Sequence, residues 1–321
     1  MVSLQARKIF NDIKALKIQG AERVASSSLQ ALLAEVNASK ARSRKEFLAE
    51  VFSTVLWLRS SRPTEPALRN ALRFVFSELR KSRLDEVREL KELARRLTDK
   101  YFVAAGETKK KIAEYGARLV PDGGSVLVHC HSTTVVSVLK RAKEEGKTFQ
   151  VFATETRPLF QGRITAREVS EAGIKCFLCV DGAANFVLRE KMLDSDLVLV
   201  GADAVSSEGD LYNKVGTSMI ALAAREHGKK FFSCTGTHKF DPLSLWGEKE
   251  VVEARDASEV VSARDLGLKR MPASLGVLNP AFDLTEARFV NAYVTEVGLI
   301  PPQAIVPVLW KEFDLSREAS L

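Results

Sequence analysis

The chain has 321 residues, 45% hydrophobic and 28% charged, with 48 Lys and Arg against 41 Asp and Glu for a net charge of +7. This composition excludes disordered, collagen-like and mini-protein architectures and leaves room for two domains, each with its own core. Four Cys are too few for a disulfide framework, no run reaches the ~18 apolar residues of a membrane span, and Met1 leads into Ser3, Gln5, Arg7 and Lys8 rather than an apolar leader. The expected setting is therefore a reducing cytoplasm, and the excess positive charge points to an anionic partner.

The first third reads as helices. Ile9, Ile13 and Leu16 recur at helical spacing, and Ser27-Ser28-Leu29-Gln30 has capping-box spacing ahead of Leu29, Leu32, Leu33 and Val36. Ser43 and Glu46 repeat the box before a stripe of Phe47, Val51, Val55 and Leu58. Pro63 ends that helix, Thr64 can cap the next, and Pro66 fits its first turn, with Leu68, Leu72, Val75 and Leu79 on the buried face. The charged stretch from Lys81 to Arg96 reads as a solvated helix face rather than an RNA-binding helix, so nucleic acid is not the expected partner.

From Pro121 the pattern changes. Short apolar runs (Val126–Cys130, Val151–Ala153, Ile174–Val180, Leu197–Val200, Phe231–Cys234) alternate with stretches long enough for crossover helices: Val135–Lys147, Ile164–Ala172, Ala183–Leu193 and Ser218–His227. The expected fold is α/β: an N-terminal helical domain over residues 1–120, then a Rossmann-like, doubly wound parallel sheet domain over residues 121–321. Such sheets bind ligands beyond the carboxyl ends of their strands, so chemistry is sought there.

After the first run come His129-Cys130-His131-Ser132-Thr133-Thr134 and then a helix. A helix start offers free N–H groups to an anion and favours a thiolate, which makes Cys130 a candidate nucleophile or base. The bland alternative is a buried cysteine with Ser132 or Thr133 as a simple N-cap. The second run leads to Glu155-Thr156-Arg157-Pro158 and Gln161-Gly162-Arg163, where Arg157 is either a phosphate ligand or the partner of Glu155. The fourth leads to Gly201-Ala202-Asp203, with Asn213-Lys214-Val215-Gly216-Thr217 behind it. Asp203 is either an acid/base group or a turn cap. Lys239, after Thr235-Gly236-Thr237-His238, can add a charge at the same edge. Cys176 and Cys179 form a CxxC inside a strand, where positions i and i+3 face opposite ways, so no metal site is expected. Neither a Walker A nor a G-x-G-x-x-G signature is present.

Taken together, Glu155-Thr156-Arg157-Pro158-x-x-Gln161-Gly162, Gly201-Ala202-Asp203 and Asn213-Lys214-Val215-Gly216-Thr217 resemble one superfamily. It holds the regulatory subunits of translation initiation factor 2B, methylthioribose-1-phosphate isomerase and ribose-1,5-bisphosphate isomerase. The resemblance runs from Ile18-Gln19-Gly20-Ala21 through Arg62-Pro63-Thr64 and Asn279-Pro280-Ala281-Phe282-Asp283 to Thr295-Glu296-x-Gly298-x-Ile300-Pro301-Pro302. The isomerases of the family keep a cysteine and an aspartate where this chain has Cys130 and Asp203, and the His129-Cys130-His131-Ser132 form is most similar to the ribose-1,5-bisphosphate branch. Gln19 stands where the family often has arginine.

The resemblance implies an aldose–ketose isomerase that needs no metal or redox cofactor, with Cys130 and Asp203 as acid–base groups. It implies Arg62, Arg157, Asn213, Lys214 and Lys239 as phosphate ligands, with Gly20, Ala21, Ser132 and Gln161 as uncharged contacts. It also implies a homo-oligomer, dimer or hexamer, and AMP as an effector. The alternatives are a regulatory subunit that binds an initiation factor, and an isomerase of another 1-phosphorylated pentose.

Overall fold

The computed structural model of the chain describes residues 2–248 and 252–312; the expected sheet domain's last positions, 313–321, lie outside them. Five helices come first: α1 (Leu4–Lys14), α2 (Ala21–Ala38), α3 (Arg44–Arg59), α4 (Pro66–Lys81) and the long α5 (Val87–Leu119). The stripes read from the sequence are the ones buried, with Phe47, Val55, Leu58, Leu68, Leu72, Val75 and Leu79 all at 2% exposure or less. Each such Leu or Phe contributes roughly 1.5–3 kcal/mol relative to an exposed position.

The helix ends differ from expectation in ways their chemistry explains. Ser43 caps α3 as foreseen, its hydroxyl accepting from the Glu46 N–H. Ser27 and Ser28, by contrast, lie inside α2, which already begins after Gly20, a residue at φ 85° that only glycine adopts freely. The Ser28 hydroxyl turns back to the Ala25 carbonyl instead of capping. Leu16 falls beyond α1 at φ 58°. Thr64 is not a cap: Glu65 holds that position with no side-chain bond to the helix start, and Pro66 follows as the first helical residue. The charged stretch is not one helix either. α4 stops at Lys81 because the Arg44 guanidinium gathers the carbonyls of Arg80, Ser82 and Leu84, and α5 starts afresh at Val87.

The remaining elements are β1 (Ser125–His129), α6 (Thr133–Glu144), β2 (Gln150–Thr154), α7 (Gln161–Glu171), β3 (Lys175–Cys179), α8 (Ala184–Glu190), β4 (Leu197–Val200), β5 (Ala204–Val205), β6 (Leu211–Lys214), α9 (Thr217–Glu226), β7 (Lys230–Cys234), β8 (Phe282–Thr285), β9 (Ala292–Thr295), β10 (Gly298–Ile300) and α10 (Ile305–Glu312). Seven strands form one sheet in the order β10-β9-β7-β4-β1-β2-β3, parallel throughout except for the β9–β10 pair. A second, antiparallel sheet of β5, β6 and β8 stands beside it.

Alternate residues of each main strand enter opposite cores. Val126, Val128, Val151, Leu197 and Leu199 pack with α5, α6 and α7, whereas Leu127, Phe152, Val198 and Val200 pack with α8, α9 and α10. Both faces are covered, which is why these strands read as continuous apolar runs. α5 belongs to two cores: Leu90, Ala94 and Leu97 join the helical one, and Ile112 and Ala117 join one face of the sheet. Asn70 of α4 donates to the carbonyls of His238 and Phe240, and Arg69 pairs with Asp241 at 3.1 Å. These bonds seat the helices over the carboxyl end of β7.

Candidate active site

The chain order reverses between β1 and β4, which are hydrogen-bonded neighbours with His129 opposite Val200. The loops leaving these two strands must part, and they open a crevice at that point. Cys130 leaves β1 and Asp203 follows β4, so the topology alone sets the two candidate groups on either side of one opening. The crevice is a cavity of about 500 Å³ walled by the sheet edge on one side and by α2 and α5 on the other.

Cys130 takes a left-handed backbone at φ 65°, a conformation that costs a non-glycine residue roughly 1–3 kcal/mol. Its N–H donates to the Thr156 hydroxyl at 2.9 Å, and its carbonyl accepts from the Thr165 hydroxyl at 2.9 Å. Ser132 caps α6 through the Val135 N–H, so Cys130 sits just before a helix start. The expected resting thiolate is nevertheless not what the surroundings favour. Burial pushes the thiol up to about 11, Lys214 opposes that and Asp203 adds to it, so the free protein holds a neutral thiol.

The rings of His129 and His131 bind groups other than the thiol. His129 donates through Nε2 to the Val215 carbonyl at 2.9 Å, which leaves Nδ1 to accept from Thr154 at 2.6 Å. Burial lowers its pKa and keeps the ring neutral. The Thr165 hydroxyl gives its proton to the Cys130 carbonyl and therefore accepts from Nδ1 of His131 at 3.1 Å.

Asp203 is placed by three successive backbone anchors. The Gly201 carbonyl accepts from Ser233, the Ala202 carbonyl accepts from the Lys239 ammonium at 2.7 Å, and the Asp203 N–H donates to Tyr212. Its carboxylate makes no hydrogen bond to a described residue and lines the cavity, so the turn-cap alternative does not hold.

The other candidates divide. Gly20, Ala21, Arg62, Ser132, Gln161, Asn213, Lys214 and Lys239 all line the cavity. Arg62 is 7% exposed, with its Nε unpartnered and carboxylates of Glu65 and Glu253 at 3.7 and 3.5 Å. Oε1 of Gln161 is also buried without a partner. Buried polar atoms left unpaired in a cavity wall are what a polar ligand satisfies. Gly162 follows because α7 starts against β2, where a Cβ would stand 1.7 Å from the Thr154 carbonyl oxygen.

Arg157 does not join them. Its exposed guanidinium donates to the Val260 carbonyl and lies 5.1 Å from the Phe160 ring centre, outside the residues that line the cavity. Nor does it pair with Glu155, which binds Arg163 at 2.9 Å. Gln19 lines the cavity but donates its amide to the Leu16 carbonyl.

Residues that sequence reasoning passed over also reach the cavity: Lys17, Arg23, Lys109, His238 and Arg255. Arg23 could have been found, since a helix starting at Ala21 puts it in the first turn. Lys109, half-buried, opens a run of three lysines with no distinguishing spacing, and Arg255 belongs to a stretch without periodicity.

Comparison with known proteins agrees with this layout. The chain is 36% identical to the ribose 1,5-bisphosphate isomerase of Thermococcus kodakarensis over 308 residues, which covers 95% of this chain and 94% of that one. It is 36% identical over 307 residues to the 5-deoxyribose 1-phosphate isomerase of Moorella thermoacetica, covering 92% of this chain and 86% of that one. The solved structure of 5-methylthioribose 1-phosphate isomerase from Pyrococcus horikoshii OT3 superposes with a TM-score of 0.76 at 28% identity, over 96% of this chain and 88% of that chain. The model of the Initiation factor 2 subunit family matches residues 17–302, a span that holds both sheets and the cavity between them and the helices, and the chain belongs to that family.

Proposed function

We propose that the protein is a sugar-phosphate isomerase that converts ribose 1,5-bisphosphate to ribulose 1,5-bisphosphate. The observation that carries this reading is the pairing of Cys130 and Asp203 across the mouth between β1 and β4, in a cavity lined by Lys214 and Lys239 on the sheet side and by Arg62, from the turn between α3 and α4, on the helical side. Relatives with that name align over nearly the whole chain.

A pentose phosphorylated at C1 has its aldehyde masked, so isomerisation must open the ring and move a proton from C2 to C1. In this reading the Cys130 sulfur takes the C2 proton as the C1–C2 double bond forms and the bond from C1 to the ring oxygen breaks. Asp203, protonated at that moment, gives its proton to the departing ring oxygen. The carboxylate then takes the proton of the C2 hydroxyl, C2 becomes the ketone, and the thiol returns its proton to C1. Both groups end as they began, and no electron leaves the substrate.

The resting thiol fits this cycle as one half of a pair that shares a proton. The Asp203 charge raises the thiol pKa, so moving the proton from sulfur to carboxylate removes the charge that disfavoured the thiolate. Lys214 stabilises the thiolate so formed, and acid–base groups of this kind contribute roughly 10²–10⁴-fold each. The two phosphates are assigned to the cations and amides of the walls, with Arg62, Asn213, Lys214 and Lys239 foremost among those expected.

A cytosolic location that keeps Cys130 reduced, a homo-oligomeric state and AMP as an effector belong to the same reading. The test is incubation of the purified protein with ribose 1,5-bisphosphate, followed by NMR. Appearance of the C2 ketone supports the assignment, and an unchanged spectrum overturns it. The Moorella relative favours one second reading, a 1-phosphorylated pentose without the 5-phosphate. Running 5-deoxyribose 1-phosphate in parallel decides between them by the ratio of kcat/KM.

A further inference from the structure

Three threonines that play no part in the chemistry surround the cysteine. Thr154, Thr156 and Thr165 are at most 1% exposed, and each side-chain oxygen is engaged with Cys130 or with a histidine next to it. The arrangement is specific in its donors and acceptors. The Thr156 hydroxyl gives its proton to the Thr154 carbonyl and accepts from the Cys130 N–H, whereas Thr165 accepts from His131 and gives its proton to the Cys130 carbonyl. Both polar groups of one strained peptide residue are thus held by hydroxyls from other elements, Thr156 in the loop after β2 and Thr165 in α7.

Thr156 is itself in the left-handed region at φ 62°, and the Asp181 carboxylate holds it there. Oδ1 accepts from the Thr156 N–H and Oδ2 from the Arg157 N–H, both at 2.7 Å. A left-handed residue with a Cβ persists only where its surroundings fix it, and here the fixing groups form a chain from Asp181 through Thr156 to Cys130, with Thr165 on the other side.

We propose that Thr156 and Thr165 are positioning residues, which hold Cys130 in its left-handed backbone so that the sulfur faces the sugar, and that Asp181 positions Thr156 in turn. The role rests on Cys130 being the base of the proposed isomerisation, and the test is built so that the two can fail separately. Its first readout needs no sugar phosphate: the rate at which iodoacetamide alkylates Cys130 in the resting protein, followed by mass spectrometry of the digest. Cys176 and Cys179 on β3 serve as internal standards.

In Thr156→Val and Thr165→Val the Cys130 alkylation rate should depart at least about threefold from the parent while the two standards stay unchanged. With substrate, kcat should fall by about ten- to a hundredfold at nearly constant KM, because a misplacement of about 1 Å costs that much in a proton transfer. Thr156→Ser and Thr165→Ser, which keep the hydroxyl, should restore both readouts. Should a valine variant not fold, the alanine variant at the same position replaces it, with a change of the same sign in alkylation and kcat.

Folded valine variants with parental alkylation and parental kcat would overturn the proposal and leave the threonines as simple partners for buried backbone. Failure of serine to rescue either readout would overturn it as well. An alkylation change in a protein that turns over neither sugar phosphate would uphold the positioning role and sink the isomerase reading.

Discussion

The two walls of the cavity are built on opposite principles. On the sheet side the two reacting groups and one cation are held: Cys130 by two threonines, Asp203 by three backbone anchors on consecutive residues, and Lys239 by the Ala202 carbonyl. On the helical side, Arg62 is buried beside Glu65 and Glu253, but the outer cations are free: Arg23 and Lys109 make no hydrogen bond or ion pair to any described residue, and Lys17 is an exposed side chain 3.7 Å from Asp12. The difference separates two tasks. Proton transfer needs atoms fixed to a fraction of an ångström, whereas attraction of a polyanion needs only charge at the right side of an opening. Accordingly, substitutions at the reacting groups and their braces should act on kcat, and those at the free cations Arg23 and Lys109 on KM.

The largest effect is expected at the two reacting groups. Cys130→Ser and Asp203→Asn should each lower kcat by roughly 10²–10⁴-fold with the fold intact, as judged by circular dichroism and thermal melting. Substantial turnover in either variant would show that the pair does not carry the proton transfers. The same variants also sharpen the electrostatic picture. Because the Asp203 charge raises the Cys130 thiol and Lys214 lowers it, Asp203→Asn should move the pH profile of Cys130 alkylation downward. Lys214→Met should move it upward, together with a loss of kcat smaller than that of Cys130→Ser. Shifts in the reverse sense would show that these charges do not reach the thiol.

How much of this is legible in the sequence follows from how local each cause is. Five of the seven main-sheet strands and the four crossover helices come out within a few residues, because continuous apolar runs and helical spacing are properties of the segments themselves. The strands β9 and β10 and the sheet of β5, β6 and β8 do not come out. The expected run to Cys130 overshoots β1 by one residue for a reason no local pattern carries: Thr156 and Thr165, distant in sequence, turn Cys130 to positive φ. Arg157 has the composition of a phosphate ligand in a strand-end loop, yet Asp181 binds that loop's backbone and the guanidinium faces Val260 instead. The thiolate expectation fails similarly, since a helix start is visible in sequence and desolvation is not. Lys109 carries no signal of its own, because an unpaired surface cation is informative only once the cavity beside it is known.

A smaller effect is expected from two groups, His238 in the cavity wall and Asp283 at the start of α9, whose titrations pull stability in opposite directions. Burial lowers His238 to about 3, against an ordinary 6.5, so the folded protein binds fewer protons than the unfolded chain between those values. Its contribution is present above about 6.5 and is lost as the pH falls toward 3. Asp283, which accepts from the Gly216 and Ser218 N–H groups at the start of α9, is raised by burial to about 6 from 3.8. Its contribution has the other sign, being full below about 3.8 and lost as the pH rises through 6. Denaturation midpoints at pH 4.5, 6 and 7.5 should therefore show His238→Asn flattening the acid loss of stability and Asp283→Asn steepening it. Equal slopes in all three proteins would mean that neither group differs between the folded and unfolded states.

The smallest effect belongs to the free cations, and it is the one that tests the comparison most directly. Arg23→Ala and Lys109→Ala remove exposed or half-exposed cations that touch nothing the fold depends on, so melting temperatures should not move. At low salt KM should rise about two- to fivefold with kcat unchanged, since a screened surface charge contributes on the order of 1 kcal/mol or less to holding an anion. Raising the ionic strength from 0.02 to 0.3 M shortens the screening length from roughly 20 Å to about 6 Å. The parent should then approach the variants in KM. If instead either variant lowered kcat as Lys214→Met is expected to, the helical wall would belong to the reacting geometry. The division between a braced chemical side and a free electrostatic side would then have to be redrawn with α2 and α5 inside the catalytic apparatus.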